Sequence, residues 1–413
     1  MSLEGTARPP VPWTVQGAVY GAGLFSNSMT HMVSVLVPLW VLSFETSALL
    51  VGIALGSRHI LPVLFSIHGG ALMDRLGIRR VMIGFAILGI AVPLIFPFFP
   101  YLWAVVILQM LSGISAAMGW IGTQAHIGAV MRGEARYAGR LTFCNRFGNL
   151  TGPIAIGAAW DFLGPWGAFS FWTLWAVGLL VASLKLPAPR AAVVAAAPEK
   201  LRAGDLLPRA ADYMTTIRMM AVPAIAFVVI MTLLRHSSNG IQNSFYIVYL
   251  NEIGLSGTLI GVLLSSSSIL GAAGSLAAGP MTRFLRAHWL LIIAVAASIF
   301  LIVITPLLGA FVPLLIAMAI RGGTMGIGQA LLISVLASSA GEAQGKAVGL
   351  RTTANRISVM VIPVIMGAVI EVFGLANSFY IVGVVLMALM AWSTIHLYRS
   401  PDFANDRPAR DQS

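Results

Sequence analysis

Apolar stretches long enough to cross a membrane follow one another along almost the whole chain, separated by short polar or Gly/Pro breaks. A helix needs about 20 mostly apolar residues to span a bilayer, and its backbone hydrogen bonds are then satisfied internally. Only 9% of the 413 residues are charged, against about 25% in a soluble protein. We therefore expect an all-α integral membrane protein, and the composition excludes a soluble enzyme, a disordered chain and a nucleic-acid-binding module.

The breaks divide the chain into twelve predicted spans, at residues 14–43, 47–72, 80–99, 101–130, 141–162, 165–186, 217–249, 256–281, 288–309, 311–338, 347–371 and 375–398. The longest interruption, at 187–216, is rich in Ala, Pro and Arg and predicts a cytoplasmic linker with room for a short surface helix. It separates two predicted six-helix bundles, residues 1–186 and 217–398, and residues 399–413 form a predicted cytoplasmic tail.

Basic residues gather on one side of this topology. When both termini are placed inside, every Lys and Arg outside the spans falls in an inner loop, the linker or a terminus, whereas the outer loops hold acidic residues such as Glu45 and Glu252. Such an excess marks the cytoplasmic side of a membrane protein. The 25 basic residues are 22 Arg and 3 Lys, which is typical of a GC-rich bacterial genome, so we expect the bacterial inner membrane with both termini cytoplasmic.

The two halves repeat one another. Gly52 and Gly70 match Gly261 and Gly279 at an offset of 209 residues, and Arg146 matches Arg356 at an offset of 210. From there the match continues without a gap, pairing Pro153, Gly157, Asp161, Gly164 and Phe169 with Pro363, Gly367, Glu371, Gly374 and Phe379. Parallel repeats of this kind are the architecture of one large class of secondary transporters, which hold substrate near the midplane between the halves.

The loop between spans 2 and 3 carries a glycine-rich, charged motif whose characteristic residues are Gly70, Asp74, Arg75, Gly77, Arg79 and Arg80. It resembles the G-x-L-x-D-R-x-G-R-R/K signature of the major facilitator superfamily, at the loop where that family carries it. The resemblance implies a cytoplasmic gate, in which Asp74 pairs with a neighbouring helix end. Arg146 and Arg356, toward the inner ends of spans 5 and 11, are interpreted as structural partners of that gate. The alternative is an ordinary positive loop.

Span 5 contains small residues four apart, at Gly148, Gly152, Pro153 and Gly157. This segment resembles the G-x-x-x-G-P-x-x-x-G motif of the antiporter branches of the same superfamily, where the face packs against the other half and accompanies export. Because such spacing also serves ordinary helix contacts, the antiporter inference stays open. Many drug-exporting relatives have an arginine in span 4 four residues before a glycine, but here Gln109 precedes Gly113, so that coupling role cannot be transferred.

Three arginines lie near the centres of spans 2, 7 and 10, and they are Arg58, Arg235 and Arg321. Polar neighbours complete the predicted substrate-binding set, which adds Asn27, His31, His59, His236 and Asn239. Arginine is costly at this depth and usually faces a cavity or a partner, and no Asp or Glu lies at mid-depth to pair with it. We expect a positive cavity and an anionic substrate. The alternative is that these arginines bond backbone carbonyls for purely structural reasons.

The resemblance implies a twelve-helix secondary transporter that works by alternating access without a cofactor. We expect a monomer, because one chain contains both halves and needs no partner to form the pathway. The interpretation we favour is export of a small organic anion, such as a carboxylate, by antiport with H+. Uptake or exchange of an organic anion is the alternative, and a multidrug exporter of neutral or cationic lipophiles is another. A transporter fold used as a sensor or assembly factor is a further alternative. No catalytic constellation or metal-ligand cluster is evident in the sequence, which argues against an enzyme.

Overall fold

The computed structural model describes residues 11–44, 46–131, 135–187, 219–221, 223–339 and 344–398, and within these ranges it is helical with no strand. Twelve helices, α1 to α12, run along the molecule. Their bounds are Trp13–Val41 (α1), Ala48–Ser57 with Ile60–Leu76 (α2), Ile78–Ile95 (α3), Leu102–Ala129 (α4), 135–163 (α5), 165–184 (α6), Pro223–Gln242 with Phe245–Glu252 (α7), Gly257–Met281 (α8), Ala287–Val303 (α9), Phe311–Ser339 (α10), Gln344–Phe373 (α11) and Leu375–Tyr398 (α12). The prediction of twelve helices is confirmed.

We name the two ends of the bundle after the predicted orientation. The outer end carries the α1–α2 and α7–α8 connections, and the inner end carries the α2–α3 and α8–α9 connections. Among the described helices, nine are long and apolar enough to cross a membrane when α5 and α6 are counted together, and α9 is shorter, with 17 residues. The remaining helix, α7, carries the polar run from Arg235 to Asn239 that lowers its hydropathy.

Two helices are interrupted where the sequence suggested continuous spans. The break in α2 falls at Arg58 and His59, and the break in α7 falls at Asn243 and Ser244. The turn between α5 and α6 is made by Gly164, whose φ of 68° favours glycine, and Gly374 makes the repeat-related turn with a φ of 79°. The repeat in the sequence thus corresponds to a repeat of backbone conformation at these two turns.

Glycines let helices α8 and α10 approach each other closely. A Cβ atom on Gly322 would collide with the backbone at Ser267, and one on Gly326 would collide with the carbonyl of Gly271. Close contact through small residues is a common way for membrane helices to associate. It brings the serines of α8 next to Arg321 of α10.

Some sequence predictions fall on residues that the structure does not describe. These are residues 188–216 of the linker, with its short surface helix, the tail at 399–413, the surroundings of Gly70, and the side chains of Asp74 and Arg75. The division into bundles at 1–186 and 217–398 therefore stays a prediction.

Candidate functional site

A polar cavity of about 210 Å³ lies between the two halves, near the middle of the helices. Helices α1 and α5 line it from one side, and α7, α8 and α10 line it from the other. Its polar side chains are His31, Ser34, Arg146, Asn149, Arg235, Asn239, Gln242, Asn243, Ser267, Ser268, Ser275, Arg321 and Gln329. Sites for drug-sized ligands usually occupy about 300–1,000 Å³, so this cavity suits a smaller, polar molecule.

The arginines of the cavity have no carboxylate near them among the residues that the structure describes. Within the described helices, Asp and Glu occur at Asp74, Asp161, Glu252 and Glu371, each within two residues of a helix end. Three arginines, by contrast, line the cavity at mid-depth. In the part of the chain that the structure describes, no three His, Cys, Asp or Glu side chains lie together as a metal site would require. The cavity therefore carries positive charge that the protein does not neutralise.

Arg321 of α10 is held by the polar face of α7. Its Nη2 donates to Ser238 Oγ at 2.8 Å and to Asn239 Oδ1 at 3.1 Å, and its Nη1 donates to Gln242 Oε1. Only 1% of the Arg321 side chain is exposed. The guanidinium thus ties α10 to α7 and has little surface left for a ligand.

Arg235 and His236 of α7 form a second buried group. Nη2 of Arg235 donates to the Met325 carbonyl at 3.0 Å, and Nη1 lies 3.2 Å from His236 Nε2. Because a guanidinium can only donate, Nε2 accepts, and the His236 Nδ1–H donates to the Thr232 carbonyl at 2.9 Å. The imidazole is therefore neutral with both nitrogens engaged, whereas the buried Nε–H of Arg235 has no acceptor.

Arg58 and His59 lie at the break in α2, outside the lining of the cavity. Nη1 of Arg58 donates to the Thr30 carbonyl of α1 at 2.8 Å, and the side chain is buried. In this form of the protein Arg58 is a structural tie between α1 and α2, in place of the predicted substrate contact. His59 is half-buried and lies within electrostatic range of Arg356.

Of the two predicted substrate-binding residues on α1, one lines the cavity and the other supports a residue that lines it. His31 lines the cavity and lies within electrostatic range of Arg58 and Arg146. Asn27 does not line the cavity. Its Nδ2 donates to Asn149 Oδ1 at 3.0 Å and so orients Asn149, which does line the cavity.

Arg146, interpreted from the sequence as a partner of the gate, lies in the cavity. Its Nη1 reaches the Ser268 carbonyl of α8 at 3.4 Å, and the side chain is half-buried, more exposed than Arg235 or Arg321. His59 lies near Arg356 just as Ser268 lies near Arg146. The repeat relates the two pairs, since 209 residues separate His59 from Ser268 and 210 separate Arg146 from Arg356. The polar face of α7 at Asn239, Gln242 and Asn243, which the sequence predicts to line the cavity, does so. Gln329 and the serines of α8 were not predicted, although four serines in a row at 265–268 are an unusual signal in an apolar span.

The glycine face of α5 divides between two partners. A Cβ on Gly157 would collide with the carbonyl of Gly257 on α8, and the carbonyl of Pro153 lies against Gly261 of the same helix. Gly148 and Gly152 instead pack on Ser28 and Met32 of α1, within the same half. The prediction that the whole motif packs between the halves is therefore wrong for Gly148 and Gly152. A row of residues four apart winds slowly around a helix, so successive members of the row meet different neighbouring helices.

The same contact is repeated on the other side of the molecule. A Cβ on Gly52 of α2 would collide with the carbonyl of Pro363 on α11, and one on Gly367 would collide with the carbonyl of Ala48. Helices α5 with α8 and α11 with α2 thus form two equivalent seams, related by the offsets in the sequence.

Two carboxylates close these seams at the outer end. Asp161 at the end of α5 accepts hydrogen bonds from the backbone N–H of Gly257 at 2.8 Å and of Thr258 at 2.7 Å, the first residues of α8. The repeat-related Glu371 accepts from the N–H of Leu49, at the start of α2, at 3.1 Å. A carboxylate satisfies the free N–H groups of a helix start and complements its positive end. We call these two contacts the outer latches.

Among the described residues, hydrogen bonds between the halves are found at the outer end and at mid-depth. In addition to the outer latches, Ser265 Oγ donates to the Leu150 carbonyl at 2.6 Å, and Arg146 donates to the Ser268 carbonyl. The structure is therefore of a form that is closed at the outer end.

Removing the charge of both outer latches is expected to loosen this closure. In the double variant Asp161→Asn and Glu371→Gln, a reagent added from outside should modify a cysteine at position 34 about three- to thirtyfold faster, since each charge at a helix terminus contributes about two- to fivefold and two are removed. Cys144 is the only cysteine of the chain, so a Cys144→Ala background makes the labelling specific. Glu252→Gln, another exposed carboxylate at the outer end, is the control. An unchanged labelling rate in the double variant would contradict the latch assignment.

The predicted cytoplasmic gate is described in part. Gly77 ends α2 with a φ of 86°, as its place in the motif requires. Arg79 Nη2 donates to the Leu184 carbonyl at the inner end of α6 at 2.6 Å, and Arg80 is exposed. Arg79 therefore anchors α3 to α6 within one half, and the pairing of Asp74 lies outside the described residues.

Comparison with known proteins identifies the family to which this architecture belongs. The family model described as Major Facilitator Superfamily matches residues 19–234 and 228–412. The crystal structure of the nucleoside transporter NupG superposes with a TM-score of 0.75 at 12% identity, covering 94% of this chain and 99% of that one. A bacterial homologue of the human lysosomal transporter Spinster, inward-facing and unoccupied, gives 0.69 at 13% identity, covering 96% and 98%.

A third structure, that of a D-xylose–proton symporter, gives a TM-score of 0.63 at 16% identity and covers 94% of this chain and 97% of that one. No curated protein sequence matches the chain. At these identities the likeness establishes the fold, and the family model covers nearly the whole sequence. The chain therefore belongs to the major facilitator superfamily, a family of membrane transporters and not of enzymes.

Proposed function

We propose that the protein exports a small organic anion across the bacterial inner membrane in exchange for protons, by alternating access to the polar cavity. The observation that carries the proposal is the set of Arg146, Arg235 and Arg321 at mid-depth, with no carboxylate at that depth in the described helices. Positive charge in a low-dielectric cavity favours a carboxylate, phosphate or sulfonate. It disfavours an organic cation for the same reason.

The direction of transport is inferred from α5. Its Gly/Pro segment resembles the antiporter motif, and the contacts of Pro153 and Gly157 with α8 agree with a role at the interface between the halves. Uptake or exchange of an organic anion is the second candidate, favoured by the engagement of both nitrogens of His236. An exchanger would need no titrating side chain.

For coupling to protons, His31 is our candidate. Histidine titrates near neutral pH, and His31 lies in the cavity next to Arg146, whereas His236 has no free nitrogen. In an antiporter the anion and the proton occupy the cavity in alternate half-cycles, so His31 would carry its proton inward when no anion is bound.

The arrangement in the membrane belongs to the same proposal. Residues 1–186 and 217–398 act as two rocking bundles joined by a cytoplasmic linker at 187–216, both termini are cytoplasmic, and one chain forms the pathway as a monomer. The basic inner loops and the repeat support this assignment.

A lipophilic substrate is the remaining alternative, and one observation bears on it. An apolar cavity of about 320 Å³, lined mostly by Leu, Ile and Val, lies among α7, α11 and α12. All of its walls belong to the second half, away from the interface between the halves. Alternating access acts on sites between the halves, so we place the substrate in the polar cavity.

A thermal-shift screen of the purified protein tests the substrate class. Organic anions, organic cations and neutral lipophiles are compared at two pH values, and each stabilising compound is then tested for counterflow in proteoliposomes with and without a pH gradient. Stabilisation by anions and proton-dependent counterflow are expected. Stabilisation only by cations or lipophiles would overturn the anion assignment, and counterflow that ignores the gradient would favour exchange.

A further inference from the structure

The hydrogen bonds of Arg321 fix the orientation of two amide side chains of the cavity. Its Nη2 lies 3.1 Å from Asn239 Oδ1, and its Nη1 contacts Gln242 Oε1. Because a guanidinium has no acceptor, each amide must present its oxygen to Arg321. The amide N–H groups of Asn239 and Gln242 are then left as donors for the cavity that both side chains line.

The serines on the facing helices have the opposite bias. The hydroxyl of Ser267 donates to the Leu264 carbonyl at 2.7 Å, that of Ser275 to the Gly271 carbonyl at 2.9 Å, and that of Ser34 to the Thr30 carbonyl at 2.8 Å. Each hydroxyl hydrogen is thus committed to the backbone, and the oxygen lone pairs remain as acceptors. These side chains give the cavity donors on α7 and acceptors on α1 and α8, and Arg146 of α5 is a further donor that lies against Ser268 of α8.

We propose that the cavity binds a small hydroxylated anion, whose acid group meets the amide N–H groups of Asn239 and Gln242 and whose hydroxyl meets the serines. Arg321 is then a positioning residue that orients the amides, and not a ligand contact, since 1% of its side chain is exposed. This inference rests on the proposed transport function and names the substrate class of the same cavity.

Four compounds with nearly the same skeleton test the inference: lactate, lactamide, 1-aminopropan-2-ol and propionate. They present a carboxylate, an amide, an ammonium, and a carboxylate without the hydroxyl. Dissociation constants come from thermal-shift titration of the purified full-length protein at constant ionic strength. We expect lactate to bind about tenfold or more tightly than lactamide, because donors bond more strongly to a charged acceptor. The amine should not bind, and propionate should bind more weakly than lactate.

The variant Arg321→Lys separates positioning from direct contact. Lysine keeps the positive charge but cannot hold both amides and Ser238 in the geometry of a planar guanidinium. The freed amides can then turn either atom toward the cavity, so the preference for lactate over lactamide should fall by about two- to tenfold, which is the part that one oriented donor set contributes. If Arg321 contacted the carboxylate itself, the lysine would preserve the preference for lactate. Arg283→Lys, at an exposed arginine of the α8–α9 loop, is the control.

A second variant keeps the inference testable if Arg321→Lys does not fold. Gln242→Glu places a carboxylate beside an unchanged Arg321 and removes the amide donors, so binding of lactate should be lost while binding of lactamide persists. The inference is overturned by equal binding of lactate and lactamide to the wild type, by equal binding of lactate and propionate, or by no binding of any of the four at any soluble concentration.

The proposed transport function can fail separately. Lactate binding with the expected response to Arg321→Lys, but no counterflow of lactate in proteoliposomes, would support the inference and contradict transport of this class. Counterflow of an anion found in the wider screen, together with no preference for lactate over lactamide, would support the transport function and contradict the inference about the hydroxylated anion.

Discussion

Replacement of Gly157 by valine is expected to abolish transport and to leave the cavity accessible from outside. A side chain at this position would collide with the backbone of Gly257 and Thr258, which cannot move without displacing the start of α8. The outer end could then not close, and alternating access requires that closure. Counterflow in proteoliposomes and labelling of a cysteine at position 34 in the Cys144→Ala background measure the two effects.

The repeat supplies a matched test, because Gly367 makes the equivalent contact with the carbonyl of Ala48. Gly367→Val should therefore have the same effect as Gly157→Val. Gly84→Val is the control, since Gly84 is an exposed glycine of α3 with no atom near its Cβ position. Normal counterflow in Gly157→Val would mean that this seam does not have to be in contact during the cycle.

The seams show why the sequence predicted so much of the fold. Hydropathy located twelve spans because the bilayer imposes a length on each helix, and the offsets of 209 and 210 residues follow from two equivalent helix contacts. Gly52 and Gly261 recur because each must lie against a proline carbonyl, at Pro363 and at Pro153. Hydropathy did not reveal the breaks in α2 and α7, because a break of two residues leaves the apolar length of a segment unchanged.

The cavity was harder to predict, for a physical reason. The rarity of charge at mid-depth identified Arg58, Arg235 and Arg321, but rarity does not tell whether a guanidinium faces a ligand or a backbone carbonyl. Arg58 bonds the carbonyl of Thr30, whereas Arg146, interpreted as part of the gate, lies in the cavity. Both outcomes depend on how the helices are rotated about their axes, which is determined by packing and cannot be derived from hydropathy.

Replacement of Arg235 by alanine is expected to reduce transport about 30-fold or more, as the loss of a buried, hydrogen-bonded charge does at a binding site. The side chain lines the cavity, contacts Met325 and His236, and keeps a buried Nε–H without an acceptor. Its charge contributes directly to the potential that favours an anion. Counterflow of a stabilising anion, measured with equal amounts of protein in the membrane, gives the effect.

Loss of folding can be distinguished from loss of binding in this variant. A buried arginine without a carboxylate partner is costly, so its removal should leave the melting temperature of the empty protein unchanged or raised. The stabilisation by the anion should disappear at the same time. Arg283→Ala, at the exposed α8–α9 loop, should retain both. A lower melting temperature with intact anion binding would mean that Arg235 holds α7 to α10 and that the positive charge of the cavity is supplied to the ligand by Arg146.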